Sequence, residues 1–187
     1  MADAWAQAAA QRGWQYQPED PTVGGLFRCV DGTRVLHVLR GVHDGRHFIA
    51  FCRESESSWI DPNGMTMSDT TRTRYVAVDL GAVVPDFEVT PQNFVTRLFR
   101  RRGAIPTGHP GFDHANTVHS ASPEFAADLL SGILPVLLQW RPVPWRLEGR
   151  SLVVQGDERG IAPIDEMLAF AGSVIGAIPE RVWSRLL

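Results

Sequence analysis

Six histidines carry the widest chemical repertoire in the chain: His37 and His47 flank a tight turn holding His43, and His109, His114 and His119 lie close together further on. A zinc ion needs three or four ligands converging at about 2.0–2.3 Å. A cross-strand pairing of His37 with Cys52 supplies two at most, so no metal-site residues are assigned. Ser120, His119 and Asp113 have the residue types of a nucleophilic triad. That chemistry needs a base within hydrogen-bond reach of an exposed hydroxyl, with an oxyanion site beside them. Successive residues of a strand point to opposite faces, so His119 and Ser120 cannot converge if one strand holds both. There is no Gly-x-Ser-x-Gly elbow and no phosphate-cradling glycine loop. The reading is therefore no catalytic residue and no cofactor. A hydrolase or metal-binding protein using the histidines is the least favoured alternative.

The other candidate is cationic. Arg97, Arg100, Arg101 and Arg102 end an expected helix over 92–102, opened by Pro91, with Phe94, Val95, Leu98 and Phe99 on its apolar side. Such a helix could meet anionic lipid, a phosphate or an acidic partner, which makes a peripheral anion- or lipid-binding protein the main alternative reading. A solvated helix end whose cations suit the C-terminal dipole explains the same residues more simply.

The elements that must position these groups fit one domain spanning residues 1–187, long enough to bury roughly two thirds of its unfolded surface. A formal charge of −3 gives no reason to expect a nucleic-acid partner. All 18 cationic residues are arginine, and two cysteines, Cys29 and Cys52, are too few for a disulfide framework. The start, MADAWAQAAAQRGW, holds Asp3 and no apolar run, and no window approaches about 18 apolar residues. No secretion signal or transmembrane segment is expected, and the reading is cytoplasmic. Composition names neither a protein partner nor an oligomeric state.

The clearest structural signals run from Phe112 to Gln155. Ser122-Pro123 reads as a cap and first helical position. Phe125, Leu129, Ile133 and Leu137 then recur at helical spacing, and Pro135 is expected to kink or end the helix near Leu134. A hairpin follows, Trp145 to Leu147 and Leu152 to Val154, around Glu148-Gly149-Arg150. An earlier hairpin pairs Val35–Val42 with Arg46–Arg53 about Asp44-Gly45, setting His43 opposite Arg46, Leu39 opposite Ala50 and His37 opposite Cys52. That register places Val35 with Leu39 on one face, and Leu36 with Val38 on the other. Residues 54–73, polar and rich in Ser and Thr, read as a long loop, with two strand extensions as the alternative. The last helix carries Ile164, Leu168, Ala171, Ile175 and Ile178 on one face, stopped by Pro179. A short Ala-rich helix opens the chain and ends at Gly13. The expected fold class is α+β: a mainly antiparallel sheet of about six or seven strands with three or four helices packed on it.

Short blocks along the chain resemble an uncharacterised, chiefly actinobacterial family of soluble or membrane-attached domains of unknown function. They are Arg12-Gly13-Trp14, Gly45-Arg46 with Phe48 to Phe51, Val76 to Val78 leading to Leu80, and Phe87 to Pro91. The resemblance continues through Phe112-Asp113, Leu129-Leu130, Trp145 to Gly149 with Leu152 to Val154, and Ile178-Pro179 with Val182-Trp183. It implies a fold and carries over no catalytic residue. The chain departs from the pattern at Arg100 to Arg102, where small residues are expected, and at Cys52, where an aspartate is usual. It also lacks the membrane segments of some members. The functional expectation is a non-catalytic cytoplasmic binding or scaffold module.

Overall fold

Asp44 and Gly45 both take positive φ (49° and 75°), the conformation a two-residue hairpin turn requires, and they join β2 (Arg34–His43) to β3 (Arg46–Ile60). The computed structural model describes residues 2–27, 34–92, 103–157 and 161–186. Within them, β1 (Gln15–Glu19), β2, β3, β4 (Thr66–Asp79), β5 (Phe87–Pro91), β6 (Asn116–Ser120), β7 (Trp145–Glu148) and β8 (Ser151–Asp157) form one sheet. Its order is β1-β2-β3-β4-β8-β7-β5-β6, and every neighbouring pair is antiparallel. The fold is α+β. It has eight strands rather than six or seven, and six helices among the described residues rather than three or four.

The helices are α1 (Ala2–Gln11), α2 (Pro21–Gly24), α3 (Pro110–Ala115), α4 (Pro123–Leu137), α5 (Ala162–Gly176) and α6 (Glu180–Trp183). Ser122 caps α4 as its sequence demands, its Oγ accepting the Phe125 amide at 3.3 Å. Pro135 does not end the helix at Leu134. α4 runs on to Leu137, three residues further, without the bond that position 135 would donate to the Ser131 carbonyl. Ala126, Leu129, Leu130 and Ile133 of α4 join Ile164, Leu168, Ala171 and Val174 of α5 over Leu39, Phe48, Ala50, Val76, Leu152 and Val154 of the sheet. That is the main core. A second cluster lies on the other face, where Val23 of α2 and Phe27 cover Val35, Val38, Phe51, Tyr75, Ala77 and Val153.

The first hairpin keeps the expected His43–Arg46 and Leu39–Ala50 pairs, but Leu36 rather than His37 sits opposite Cys52. A bulge between Leu36 and Leu39 is the reason, with His37 at φ 51°. It transfers Val35 to the second face, beside Val38 and Phe51, instead of leaving it with Leu39. Residues 54–73 form two strand extensions, the alternative to a loop: Glu54 to Ile60 and Thr66 to Thr73 are strand, paired rung by rung.

At the sheet edge, Asp20 caps α2. The Thr22 hydroxyl first, and then the Arg40 guanidinium at 2.6 Å, hold its carboxyl below the usual range. Glu19 is lowered likewise by its hydrogen bonds from Arg34. Groups that ionise more readily folded than unfolded contribute stability that is complete above about pH 5 and lost as acid carries the pH through the lowered values. Protection factors of the Val23 to Gly25 amides, corrected for the intrinsic exchange rate at each pH, should therefore fall on going from pH 5 to pH 3, before those of the core amides of Leu129 and Leu168 respond. Simultaneous loss of both sets would contradict this.

Candidate interaction surface

The structure does not gather the histidines. His37 lies between Trp5 (centroids 4.8 Å) and Tyr16 (6.2 Å), with its Nδ1 3.0 Å from the Tyr16 hydroxyl. His43 Nε2 is 3.5 Å from Asp44, His47 and His114 are exposed, and His109 Nδ1 accepts the Phe112 amide as the cap of α3. Among the described residues no three His, Cys, Asp or Glu side chains converge on a point that could hold a metal ion. Ser120 and His119 are neighbours on β6, and the Ser120 hydroxyl lies 2.9 Å from the Asp86 carbonyl. Asp113 is elsewhere, its Oδ1 accepting from the Thr107 amide and hydroxyl. The triad residue types are not brought together. Cys52 is buried. Arg97, Arg100, Arg101 and Arg102, with all of the expected helix over 92–102 except Gln92, lie outside the described residues, as does Cys29.

His119 stands instead in a polar row across three strands. Glu88 is in register with His119 on one side and Arg146 on the other. Arg146 Nε donates to Glu148 at 2.6 Å, and Glu88 accepts from Thr90 at 3.0 Å. Among the described residues the His119 Nε2 and one terminal nitrogen of Arg146 are buried without a hydrogen-bond partner, and the row holds no nucleophile. The larger hollows differ in kind. One of roughly 580 Å³ lies beside Trp14, Arg40 and His47, and another of roughly 430 Å³ is walled by Trp140, Pro144, Met167 and Phe170.

The candidate site that the sequence reading did not single out lies in 54–73. Past the pairs Glu54–Arg34 and Thr73–Asp157, β3 and β4 leave the sheet together as a two-stranded ribbon, in register from Glu54–Arg72 to Ile60–Thr66. Its root is clamped by Glu54, whose buried carboxylate accepts Arg72 Nε at 2.7 Å with Arg34 3.7 Å away. Its turn is built around Asp61. One carboxylate oxygen accepts the amides of Asn63 (2.9 Å) and Met65 (2.8 Å), the chain closes from Asp61 N to Met65 O, and Gly64 takes φ 81°. Those donors, the Met65 amide foremost, hold Asp61 below the usual carboxylate range and fix the end of the ribbon.

At that end four large apolar side chains face water: Trp59 is 49% exposed, Ile60 73%, Met65 61% and Met67 44%. Trp59 and Met67 are a cross-strand pair on one face, Ile60 points to the other, and Met65 closes the turn. A rigid indole and polarizable thioethers make contact area that adapts to a partner, and they have no acid, base or nucleophile among them. The signal was present in the sequence. Trp59-Ile60 and Met65, Met67 are the only large apolar residues between Glu54 and Thr73, placed symmetrically about Pro62-Asn63-Gly64.

Sheet, helix layer and ribbon together define the class: an α+β protein on a single antiparallel sheet, its main helices on one face and a ribbon leaving that sheet. No family model matches the chain, and no curated protein matches it. It is similar to the crystal structure of the mycobacterial trehalose monomycolate transport factor A, TtfA, at 13% identity and a TM-score of 0.68, over 97% of this chain and 94% of that one. At that identity the likeness shows the fold alone. No described helix is long and apolar enough to cross a membrane.

Proposed function

We propose that this protein is a non-catalytic binding module that docks through the end of the β3–β4 ribbon. One observation carries the reading: Trp59, Ile60, Met65 and Met67 are held in water on a ribbon whose turn and root are both specifically built. An isolated two-stranded hairpin is marginal in water, and large exposed apolar groups are characteristic of interaction surfaces. The mycobacterial source of the structural neighbour agrees with the resemblance to an actinobacterial family, and neither supplies an activity.

The test compares three chains by quantitative affinity capture from cells of the source organism: wild type, the double variant Trp59→Ser with Met67→Ser, and Val83→Ser, a polar change at another exposed apolar site. The ribbon variant should lose its specific partners by about ten-fold or more, the effect of truncating two interface anchors. Val83→Ser should lose none. Melting temperatures of all three should agree within about 2 °C, because neither change touches the core. Equal capture by wild type and ribbon variant would sink the reading.

A further inference from the structure

We infer that the occupant of the ribbon end is another protein, which receives it in an apolar cleft with a basic rim. The inference rests on the reading of the ribbon as the docking element.

Shape comes first. The apolar side chains lie on both faces and round the turn, so a flat surface would leave Ile60 or the Trp59–Met67 pair in water. The occupant must enclose the end. Charge then narrows the chemistry. Between Ser55 and Thr71 the chain holds Glu56, Asp61 and Asp69 and no arginine, lysine or histidine. Asp69, in register with Ser57, stands on the Trp59 face two residues behind Met67, about 7 Å back at strand rise. Glu56, in register with Thr70, stands on the Ile60 face four residues behind Ile60, about 13 Å back. Each apolar face therefore has a carboxylate behind it, Asp69 close to where the rim of an enclosing cleft would fall and Glu56 further towards the root of the ribbon. Rim charges within about a Debye length, roughly 8 Å at physiological salt, steer and orient such docking.

The same features disfavour two other occupants. A second copy meeting it ribbon to ribbon would bring three like charges against three. A bilayer would have to take up the outer edges of 58–60 and 66–68, which pair with nothing among the described residues, and hydrocarbon does not accept open strand edges. Anionic headgroups would add repulsion. A protein cleft can hydrogen-bond those edges and set arginine or lysine against Glu56 and Asp69.

The experiment places the photo-crosslinker p-benzoylphenylalanine at Thr66 of the full chain, irradiates cells of the source organism, and maps adducts by peptide mass spectrometry. The expected adduct joins Thr66 to an apolar segment of a different protein flanked by arginine or lysine. Its yield should fall about ten-fold in the Glu56→Lys, Asp69→Lys background and only part-way in Glu56→Gln, Asp69→Asn. A phospholipid adduct, an adduct to a second copy, or a protein adduct indifferent to the charge reversal overturns the inference and leaves the docking reading standing. No adduct at all, from a protein that melts as wild type does, removes both. Vesicles of phosphatidylcholine with and without phosphatidylglycerol provide the second arm. A blue shift of tryptophan emission that disappears in Trp59→Phe would assign the ribbon to the bilayer and overturn the proposal.

Discussion

Gly132→Val should destabilise the fold by about 4 kcal/mol and Gly132→Ala by about 2, whereas Gly176→Ala should stabilise it by about 0.5. Gly132 lies within α4 where the α5–α6 junction crosses it. A Cβ there would overlap the Ala177 carbonyl oxygen and sit 2.7 Å from Pro179 Cγ. The obstacle is backbone and a proline ring, so rotamer changes cannot clear it and the helices must separate. Alanine gains about 1 kcal/mol of helix propensity over glycine, but overpacking costs 1–3 kcal/mol or more, and with backbone as the obstacle the second effect dominates. Separation would also pull Asp128 and Ser131 of α4 from Arg181 and Arg185, though exposed ion pairs of that kind contribute less than about 1 kcal/mol. Gly176 ends α5 with nothing near its would-be Cβ and no positive φ, so alanine there gains propensity without strain. Denaturant melts of the three variants, with unchanged slopes, measure this directly. Wild-type stability in Gly132→Ala would mean that the helices do not approach as described.

The contrast between these glycines shows where sequence reading stops. Helical spacing exposed the buried stripe of α4, and Ser122 marked its start, because both are local properties of consecutive residues. Nothing local distinguishes Gly132 from Gly176. The first depends on Ala177, which reaches it only through the packing of α4 against α5 and α6. The same holds for strand order. The Asp44-Gly45 and Gly149-Arg150 turns announced their hairpins, but Phe87–Leu147 and Val76–Val154 are pairs between distant segments, which the pattern of each strand does not encode. Pro135 marked the end of α4 to within one turn, because the bond it removes runs back to Ser131 while Val136 and Leu137 can still donate to the preceding turn. The ribbon reads first as a loop for another reason: a strand solvated on both faces shows no apolar alternation, and Ser and Thr serve loops and exposed strands equally. Its four apolar residues were the informative part of that stretch, and they belong to the candidate site.

The bulge at His37 leads to the second large effect, an ordered series of substitutions. His37→Val should cost about 3 kcal/mol, His37→Ala about 2 and His37→Gly about 1. Two quantities combine. Every substitution removes the imidazole from between Trp5 and Tyr16 and ends its 3.0 Å contact with the Tyr16 hydroxyl, a stacking and hydrogen-bonding loss of about 2 kcal/mol. The backbone contribution differs in sign. At φ 51° glycine is at ease and recovers about 1 kcal/mol, alanine changes little, and a β-branched valine adds about 1 kcal/mol or more of strain. Trp5 is the anchor that α1 sends to the sheet, since its ring meets His37 on one hand and Arg74, 4.6 Å from the ring centroid, on the other. Losing the stack should therefore release α1 first, and exchange of the Ala6 to Ala10 amides should report it ahead of global unfolding. A series in which glycine is as harmful as valine would show that the positive φ plays no part, and that the chain follows the regular register which the sequence alone implies.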